Sequence, residues 1–440
     1  MVGRRRGLGG VGRLKPERPF DALDQLAADA VVDLHADTPL HNLELAGDGS
    51  PGWAMRVWMR LIFLLGLLFP RVQHFTRHVT LDSLVLQGKG IQVFGIVTRG
   101  LPPFFEASLK AYVRGIARWA PDASADALCA WVAQAAWVHR QVEAHPDRLM
   151  FAPDGVAARA AILQGRVGVQ MGIEGAFPFD PSATDVQTLR AFLSRPDNGL
   201  SLRFPRPSEL ELCEDGGLLR YARRLGVQYI SLNHLASSCF AGSELWGNPE
   251  RHVGITEAGL RLWQAMERSG LMLDLAHASQ RAQREAVERI LAGEFRLPLL
   301  VSHTLFALSG KRESWRTTAP EVLDAVAATG GMVGIIGARF LLPHGKGRDA
   351  AKMIHDIVDQ MDLVRARVGV DHIGLGLDAD GFVGLPFATL VEVASEVRAV
   401  MGKRGYSAGD VTKIFGGNYL HVLDRRDALD RSAEATSGKS

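Results

Sequence analysis

Cysteine is scarce in this sequence. Among its 440 residues there are three, Cys129, Cys213 and Cys239. They are odd in number, widely spaced and without a CxxC pair, which excludes a disulfide framework. This usage fits a reducing compartment, so the cytoplasm is the predicted location.

The sequence also lacks an excess of charge of one sign. Lysine and arginine number 50 and aspartate and glutamate 48, which gives a formal net charge of +2. A nucleic-acid-binding surface needs a basic excess, so no nucleic-acid partner is predicted. Apolar residues make up 47% of the chain. The chain can therefore bury a sizeable core, and disorder is not the default.

The most conspicuous apolar segment, Trp53 to Phe69, is too short to span a bilayer. Its uninterrupted apolar part runs only from Leu61 to Phe69, with Arg56 and Arg60 at its edge, whereas a spanning helix needs about 20 apolar residues. Two interpretations stay open. The segment is either a buried insertion or subunit-contact helix, which would serve a homodimer, or a helix in peripheral contact with a membrane surface.

The two ends of the chain differ in composition from the rest. Residues 1–19 contain an arginine triplet and several glycines, and we predict a flexible basic tail that is not a secretory signal. Residues 427–440 are predicted to be a polar tail. A single domain of residues 20–426 lies between them. Within it, residues 195–217 are rich in Pro, Glu and Leu and are predicted to form a surface loop.

Eight short apolar runs bounded by turn signals predict strands, and several are apolar throughout, as buried parallel strands are. The runs span residues 31–35, 91–97, 167–173, 227–233, 271–276, 298–302, 331–337 and 373–377. Helical patterns occupy residues 108–145, 182–194, 218–225, 256–269, 279–292, 320–329, 350–368 and 388–403. This alternation predicts an α/β fold, a single-domain (β/α)₈ TIM barrel with the apolar segment inserted after the first strand.

Side chains that bind metals follow the predicted strands at their carboxyl ends, which is the reactive face of such a barrel. The first run ends in His35-Ala-Asp37, and residues two apart in a strand point to the same side. The other strand ends supply Glu174, His234, His277, His303 and Asp378, with Asp274 inside a strand in a supporting position.

Histidine and carboxylate ligands without cysteine are typical of a catalytic zinc site. Five such ligands exceed what one ion with an open position needs. They suit two ions about 3.5–4 Å apart that share a carboxylate and a water or hydroxide. Taken singly, the histidines could be packed core residues, Glu174 a helix cap and Asp378 part of an Asx turn. Their convergence on one rim favours the metal site.

Eight motifs along the chain resemble those of one family. They are Asp33-Leu-His-Ala-Asp-Thr-Pro, Gly90-Ile-Gln-Val-Phe, Gly172-Ile-Glu-Gly, Tyr229-Ile-Ser-Leu-Asn-His, Leu273-Asp-Leu-Ala-His-Ala-Ser, Val301-Ser-His, Gly374-Leu-Gly-Leu-Asp-Ala-Asp-Gly and Gly416-Gly-Asn-Tyr-Leu-His-Val-Leu. These motifs occur in the same order as in the family and cover about residues 31 to 424. The chain therefore resembles the membrane (renal-type) dipeptidases, which are peptidase family M19 and belong to the amidohydrolase-like metal-dependent hydrolases.

The resemblance implies a zinc-dependent dipeptidase that hydrolyses the peptide bond of a small dipeptide-like substrate with a metal-bridging hydroxide. It implies two Zn²⁺ per chain. In that scheme His35 and Asp37 bind the first ion, His277 and His303 bind the second, and Glu174 bridges the two.

The resemblance also implies roles in substrate binding and proton transfer. His234 matches the histidine that contacts the substrate and stabilises the oxyanion. Asp378 matches the carboxylate that carries a proton to the leaving amine. An arginine of the family binds the terminal carboxylate of the substrate, a task that suits a planar guanidinium. Arg312 and Arg316 are both candidates for it.

The chain departs from the family pattern in the loops that contact substrate. Residues 235–243 lack the usual stretch with asparagine and tryptophan, and the arginine loop is altered, whereas every implied ligand is present. Two alternatives therefore accompany the dipeptidase interpretation. One is a binuclear-metal amidase or deacylase that acts on another small acylated amine. The other is a non-catalytic, membrane-associated barrel protein, which predicts lost ligands.

Overall fold

The computed structural model describes residues 17–37, 79, 88–98, 127–181, 186–194, 203–208, 212, 216–244, 252–306, 316–338, 341–344, 350–379 and 390–437. The apolar segment 53–69 and Arg312 lie outside these residues, as does most of the predicted loop at 195–217. Within the described ranges, no helix combines the length and the apolar character that crossing a membrane requires.

Eight parallel strands form a closed ring. The strands of the described chain are β1 Val31–Ala36, β2 Gly90–Val97, β3 Leu149–Phe151, β4 Val167–Glu174, β5 Val227–Ser231, β6 Met272–Asp274, β7 Leu300–Phe306, β8 Thr317–Thr318, β9 Met332–Ile335 and β10 Ile373–Leu375. Around the ring the order is β1, β2, β4, β5, β6, β7, β9, β10 and back to β1. β3 and β8 add short pairings to β4 and β7. The predicted (β/α)₈ barrel is confirmed.

Helices follow the ring strands. Within the described residues they are α1 Ala22–Leu26, α2 Ala127–Ala144, α3 Gly155–Leu163, α4 Val186–Ser194, α5 Gly217–Arg224, α6 Glu257–Arg268, α7 Gln280–Leu291, α8 Val322–Thr329, α9 Ala350–Val368, α10 Leu390–Lys403, α11 Ala408–Thr412 and α12 Asn418–Ser437. Each of the eight predicted helices has a counterpart here. The sequence analysis did not predict α1, α3, α11 or α12.

Local sequence explains where these elements form. All residues of β2 and β4 are buried, which is why their sequences are apolar on both faces. Helix α6 begins after Thr256, whose Oγ1 accepts the N–H of Gly259 at 3.0 Å. Helix α7 begins after Ser279, whose Oγ accepts the N–H of Ala282 at 3.1 Å. Each such cap stabilises its helix by about 1 kcal/mol.

Helix α12 packs across the amino-terminal ends of the barrel strands. Its Arg426 is fully buried and donates from Nη1 to Oε1 of Gln228, near the start of β5, at 2.7 Å. The neighbouring Asp427 accepts the N–H of Gly155 at 2.8 Å. Residues 427–437, which the sequence analysis assigned to a polar tail, therefore continue this helix. Its charged residues are held by partners that are remote in sequence.

Candidate metal centre

The predicted site residues meet at the carboxyl-terminal rim of the barrel. They are His35 in β1, Asp37 just after it, Glu174 at the end of β4, His234 after β5, His277 after β6, His303 in β7 and Asp378 after β10. Apart from Asp378, which is partly exposed, these residues are at most 6% exposed. The rim is therefore a buried cluster of imidazoles and carboxylates.

The carboxylate of Glu174 lies at the centre of this cluster. Its oxygens lie 2.6 Å from Nε2 of His277, 3.4 Å from Nε2 of His303, 3.4 Å from Nε2 of His234 and 3.6 Å from Nε2 of His35. Both oxygens face these imidazole nitrogens, and no other described group donates a hydrogen bond to them. A buried carboxylate in such surroundings is strongly unfavourable unless a cation compensates its charge, so these oxygens fit the role of metal ligands.

Two groups of ligand atoms share Glu174. His35, Asp37 and Glu174 offer atoms that lie within 4.8 Å of one another, and so do Glu174, His277 and His303. Nε2 of His35 lies 3.2 Å from Oδ1 of Asp37, and Nε2 of His277 lies 3.2 Å from Nε2 of His303. Each group offers the nitrogen and oxygen donors that zinc prefers. A carboxylate between two such groups would suit a binuclear site.

In the second ligand group, burial and neighbouring charges favour the protonation states that metal ligands need. Burial holds the pKa of both His277 and His303 well below the usual range for histidine. Burial opposes ionisation of Glu174, but the imidazoles of His234 and His35 hold the pKa of Glu174 well below its usual value. Metals bind neutral imidazole and ionised carboxylate, so the second ligand group requires little change in protonation. In the first group, burial opposes protonation of His35, but Tyr229 and Glu174 hold the pKa of His35 well above its usual value.

Tyr229 orients His35. The tyrosine hydroxyl donates to the carbonyl oxygen of Leu34 at 2.8 Å and lies 2.9 Å from Nδ1 of His35. Because a tyrosine hydroxyl has only one proton, Nδ1–H of His35 donates to its oxygen. The lone pair is then on Nε2, which faces the ligand group. Gly172 makes room for this ring, since a Cβ there would lie 2.1 Å from Cζ of Tyr229.

Ser302 and Asp274 orient His303 in the same way. Oγ of Ser302 donates to Oδ2 of Asp274 at 2.7 Å and lies 2.9 Å from Nδ1 of His303. Asp274 also accepts the backbone N–H of Ser302 at 2.8 Å. Nδ1 of His303 therefore carries the proton, and Nε2 presents its lone pair. Asp274 therefore supports His303 through Ser302, as its position inside a predicted strand suggested.

Replacing Ser302 by alanine should weaken zinc binding roughly 10- to 100-fold, because His303 loses the acceptor that fixes its tautomer and ring orientation. Zinc titration against a competing chelator would measure the change. Thr329→Val is the matched control, because its Oγ1 accepts the N–H of Leu299 at 3.0 Å, just before β7 and away from the metal ligands. Equal zinc affinity in the Ser302 variant and the wild type would contradict the orienting role.

Asp33 joins the ends of β1 and β10. Its Oδ1 accepts the backbone N–H of His35 at 3.3 Å and that of Leu377 at 3.0 Å. The N–H of Asp378 in turn donates to the carbonyl oxygen of His35 at 3.2 Å. The buried carboxylate of Asp33 thus helps to fix the positions of His35 and Asp378 relative to each other. The sequence analysis did not assign this role to Asp33.

Asp378 occupies an unusual backbone and electrostatic position. Its φ is 58° and that of His277 is 63°, a left-handed conformation that costs on the order of 1 kcal/mol or more in a non-glycine residue. Burial and the nearby charge of Asp37 raise the pKa of Asp378 to about 8. A carboxyl group whose pKa lies near neutrality can both take up and release a proton there, as a proton carrier must.

Arg316 reaches the site, whereas Arg312 lies outside the described residues, and Arg316 has a partner that the sequence analysis missed. Arg316 is 3% exposed. Its Nη2 lies 2.9 Å from Nε2 of His277, and its Nη1 donates to Oε1 of Glu244 at 3.1 Å. Burial raises the pKa of Glu244 to about 7, although Arg316 opposes the shift. Glu244 directly follows the tract 235–243 that departs from the family pattern, the one sequence signal that points to it.

A closed parallel barrel with a buried histidine and carboxylate cluster at its carboxyl-terminal rim defines a metal-dependent hydrolase of the barrel class. The profile of the family "Membrane dipeptidase (Peptidase family M19)" matches residues 210–437. The chain belongs to this family and is a metallo-dipeptidase. The resemblance stated from the sequence motifs is confirmed.

Curated relatives agree with this assignment, and a solved structure shares the barrel fold. Dipeptidase verJ of Clonostachys rogersoniana is 26% identical over 318 residues, which cover 72% of this chain and 70% of that protein. Dipeptidase aclJ of Aspergillus oryzae is 32% identical over 222 residues, half of each chain. The barrel is similar to that of a metallo peptidase from Rhodobacter sphaeroides liganded with a phosphinate mimic of the dipeptide L-Ala-D-Ala. That likeness has a TM-score of 0.58 and 20% identity and covers 90% of this chain and 99% of the other.

Proposed function

We propose that this metallo-dipeptidase hydrolyses dipeptides with two zinc ions held on either side of Glu174. The observation that carries the proposal is the buried Glu174 carboxylate, which lies between two ligand groups and accepts no hydrogen bond from any described group other than the surrounding imidazoles. His35 and Asp37 would hold one ion, and His277 and His303 the other. The ligand set contains imidazole and carboxylate only, which favours zinc in a catalytic role.

When bound, two zinc ions supply an activated water near neutral pH and polarise the scissile carbonyl. The chain's own contribution begins with the fixed tautomers of His35 and His303, which aim lone pairs at the ions. The tight enclosure of the rim keeps charged groups in a medium of low dielectric constant, where their interactions are strong.

His234 is placed to stabilise the developing oxyanion. Its Nε2 lies 3.4 Å from Oε2 of Glu174, so the ring borders the bridging position. Its ring packs edge-on against that of His277, with centroids 4.7 Å apart, which fixes its direction. An N–H directed at the carbonyl oxygen would donate more strongly as negative charge grows on that oxygen.

Asp378 is placed to move the proton. As the water oxygen bonds to the carbonyl carbon, the Asp378 carboxylate accepts a proton, and it returns that proton to the amine nitrogen as the C–N bond breaks. The pKa of about 8, which burial and Asp37 produce, lies close enough to neutral pH for Asp378 both to accept this proton and to release it. Arg316 would bind the free carboxylate of the dipeptide, since a guanidinium presents paired N–H groups to such an anion.

Metal content measured together with activity tests this function. The purified chain should hold about two zinc ions and cleave a panel of dipeptides, which should include D-residues at the carboxyl-terminal position because the Rhodobacter relative binds a mimic of L-Ala-D-Ala. Two zinc ions without cleavage would reject dipeptides as the substrate and favour another small acylated amine. Failure to bind zinc even when it is supplied would overturn the proposed centre.

A further inference from the structure

Glu244 is a buried carboxylate at the site that neither the metal scheme nor the proton transfer uses. Its side chain is 6% exposed and that of Arg316 is 3% exposed, and Nη1 of Arg316 donates to Oε1 of Glu244 at 3.1 Å. A charge-assisted bond between two desolvated groups is stronger than one at the surface. Each of these groups therefore strongly affects the charge of the other.

The backbone around Glu244 is attached to the metal centre. The N–H of Glu244 donates to the carbonyl oxygen of His277 at 3.1 Å. The hydroxyl of the preceding Ser243 donates to the carbonyl oxygen of His234 at 2.7 Å. Glu244 thus cannot move away from the site without disturbing two histidines of the rim, and its distance from the reacting groups is fixed.

Arg316 is held equally firmly on its own side. It precedes the short strand β8, which pairs with β7. The carbonyl oxygen of the adjacent Thr317 accepts Nε2–H of Gln280 at 3.0 Å. Glu244 accepts a hydrogen bond from Nη1 of the guanidinium. Nη2 faces the candidate metal ligands and lies 2.9 Å from Nε2 of His277. A substrate carboxylate that docks on Arg316 would approach this metal-side end.

We propose that Glu244 is a specificity-determining residue, because it offsets the charge of Arg316 and so sets how strongly the enzyme prefers a substrate with a free carboxylate. This inference rests on the proposed dipeptidase function. Two carboxylates bound to one guanidinium repel each other, and in a buried pocket the repulsion is only weakly screened. The paired arginine therefore binds a substrate carboxylate less tightly than an unpaired one would, and it tolerates a neutral amide at the same position.

A purely structural role for Glu244 predicts the opposite result, which makes the two distinguishable. If Glu244 only holds Arg316 in place, any weakening of their bond lets the guanidinium move, and recognition of the free carboxylate falls. Glutamine separates the two roles, since its amide oxygen still accepts from Nη1 while the negative charge is gone. The charge-offset role therefore predicts a gain for the free acid, and the structural role predicts none.

The experiment compares a dipeptide acid with its carboxyl-terminal amide as substrates of the zinc-loaded enzyme. In Glu244→Gln, the ratio of kcat/KM for the acid to that for the amide should rise about tenfold, mainly through a lower KM for the acid. Asp427→Asn is the matched control, because it removes a buried carboxylate that is 2.6 Å from Nε of Arg426, at the opposite end of the barrel. Its ratio should equal that of the wild type.

An unchanged or lower ratio in Glu244→Gln would overturn the inference. If that variant does not fold, as judged by zinc content and thermal melting, Glu244→Ser removes the same charge together with the acceptor for Nη1. A higher ratio in that variant would support the inference, and an unchanged or lower ratio would overturn it. Failure of the proposed function would look different. A zinc-loaded wild type that cleaves neither compound would reject the dipeptidase function and this inference together, whereas cleavage by the wild type with an unchanged ratio rejects the inference alone.

Discussion

Replacing Glu174 by glutamine should lower zinc content from about two ions per chain to one or none and reduce kcat/KM on the order of a thousandfold or more. The two ligand groups meet at this carboxylate, whose oxygens lie 2.6 Å from Nε2 of His277 and 3.6 Å from Nε2 of His35. Glutamine keeps the shape but loses the charge and one acceptor oxygen. Metal analysis by mass spectrometry and steady-state kinetics on a dipeptide would measure both effects.

Glu267→Gln provides the matched control for this substitution. Glu267 lies in α6, where its carboxylate accepts the backbone N–H groups of Arg296 and Leu297 at 2.8 and 3.1 Å. The same chemical change there should reduce stability modestly and leave zinc content near two. A Glu174 variant that retains both ions and near-normal activity would show that the carboxylate does not bridge them.

The sequence predicted the barrel well because its strands are buried on both faces. A run such as β4, with all eight residues buried, leaves an apolar signature that can be read without any knowledge of its neighbours. Helix α12 has no such signature. Its polar residues are stabilised by distant partners, as when Arg426 donates to Gln228, 198 residues away in sequence. No local pattern encodes contacts of this kind, and α12 was therefore mistaken in part for a tail.

In the candidate site, too, some residues could be predicted from local sequence and others depend on contacts that are remote in sequence. The ligand residues could be predicted because each stands at or near a strand end, where a barrel places its reactive groups. Apart from Asp274, the residues that support these ligands could not be predicted. Tyr229 orients His35 from a strand 194 residues further along, and Glu244 meets Arg316 across 72 residues. A tyrosine within an apolar strand and a glutamate in a loop look ordinary until the fold places them beside their partners.

Replacing Asp378 by asparagine should reduce kcat for a dipeptide about 100- to 10,000-fold while zinc content stays near two. Asparagine cannot take a proton from the attacking water and return it to the departing amine. The magnitude of the defect should depend on the leaving group. An aminoacyl p-nitroanilide releases a weakly basic amine that needs little protonation, so the loss on that substrate should be much smaller than the loss on the dipeptide.

This dependence separates proton transfer from metal binding, which is the competing role for Asp378. The ligand atoms of Asp378, His35 and His303 also lie within 4.8 Å of one another, so geometry alone would allow the carboxylate to bind metal. A lost ligand would reduce zinc content and slow both substrates alike, whereas a lost proton carrier leaves the zinc content unchanged and slows the anilide less than the dipeptide. Asp362→Asn is the control for removal of a carboxylate elsewhere in the chain. Oδ2 of Asp362 forms an ion pair with Nη1 of Arg404 at 2.7 Å. Zinc loss that tracks an equal loss of activity on both substrates would assign Asp378 to the metal instead, and equal defects with both zinc ions retained would contradict its role in protonating the leaving amine.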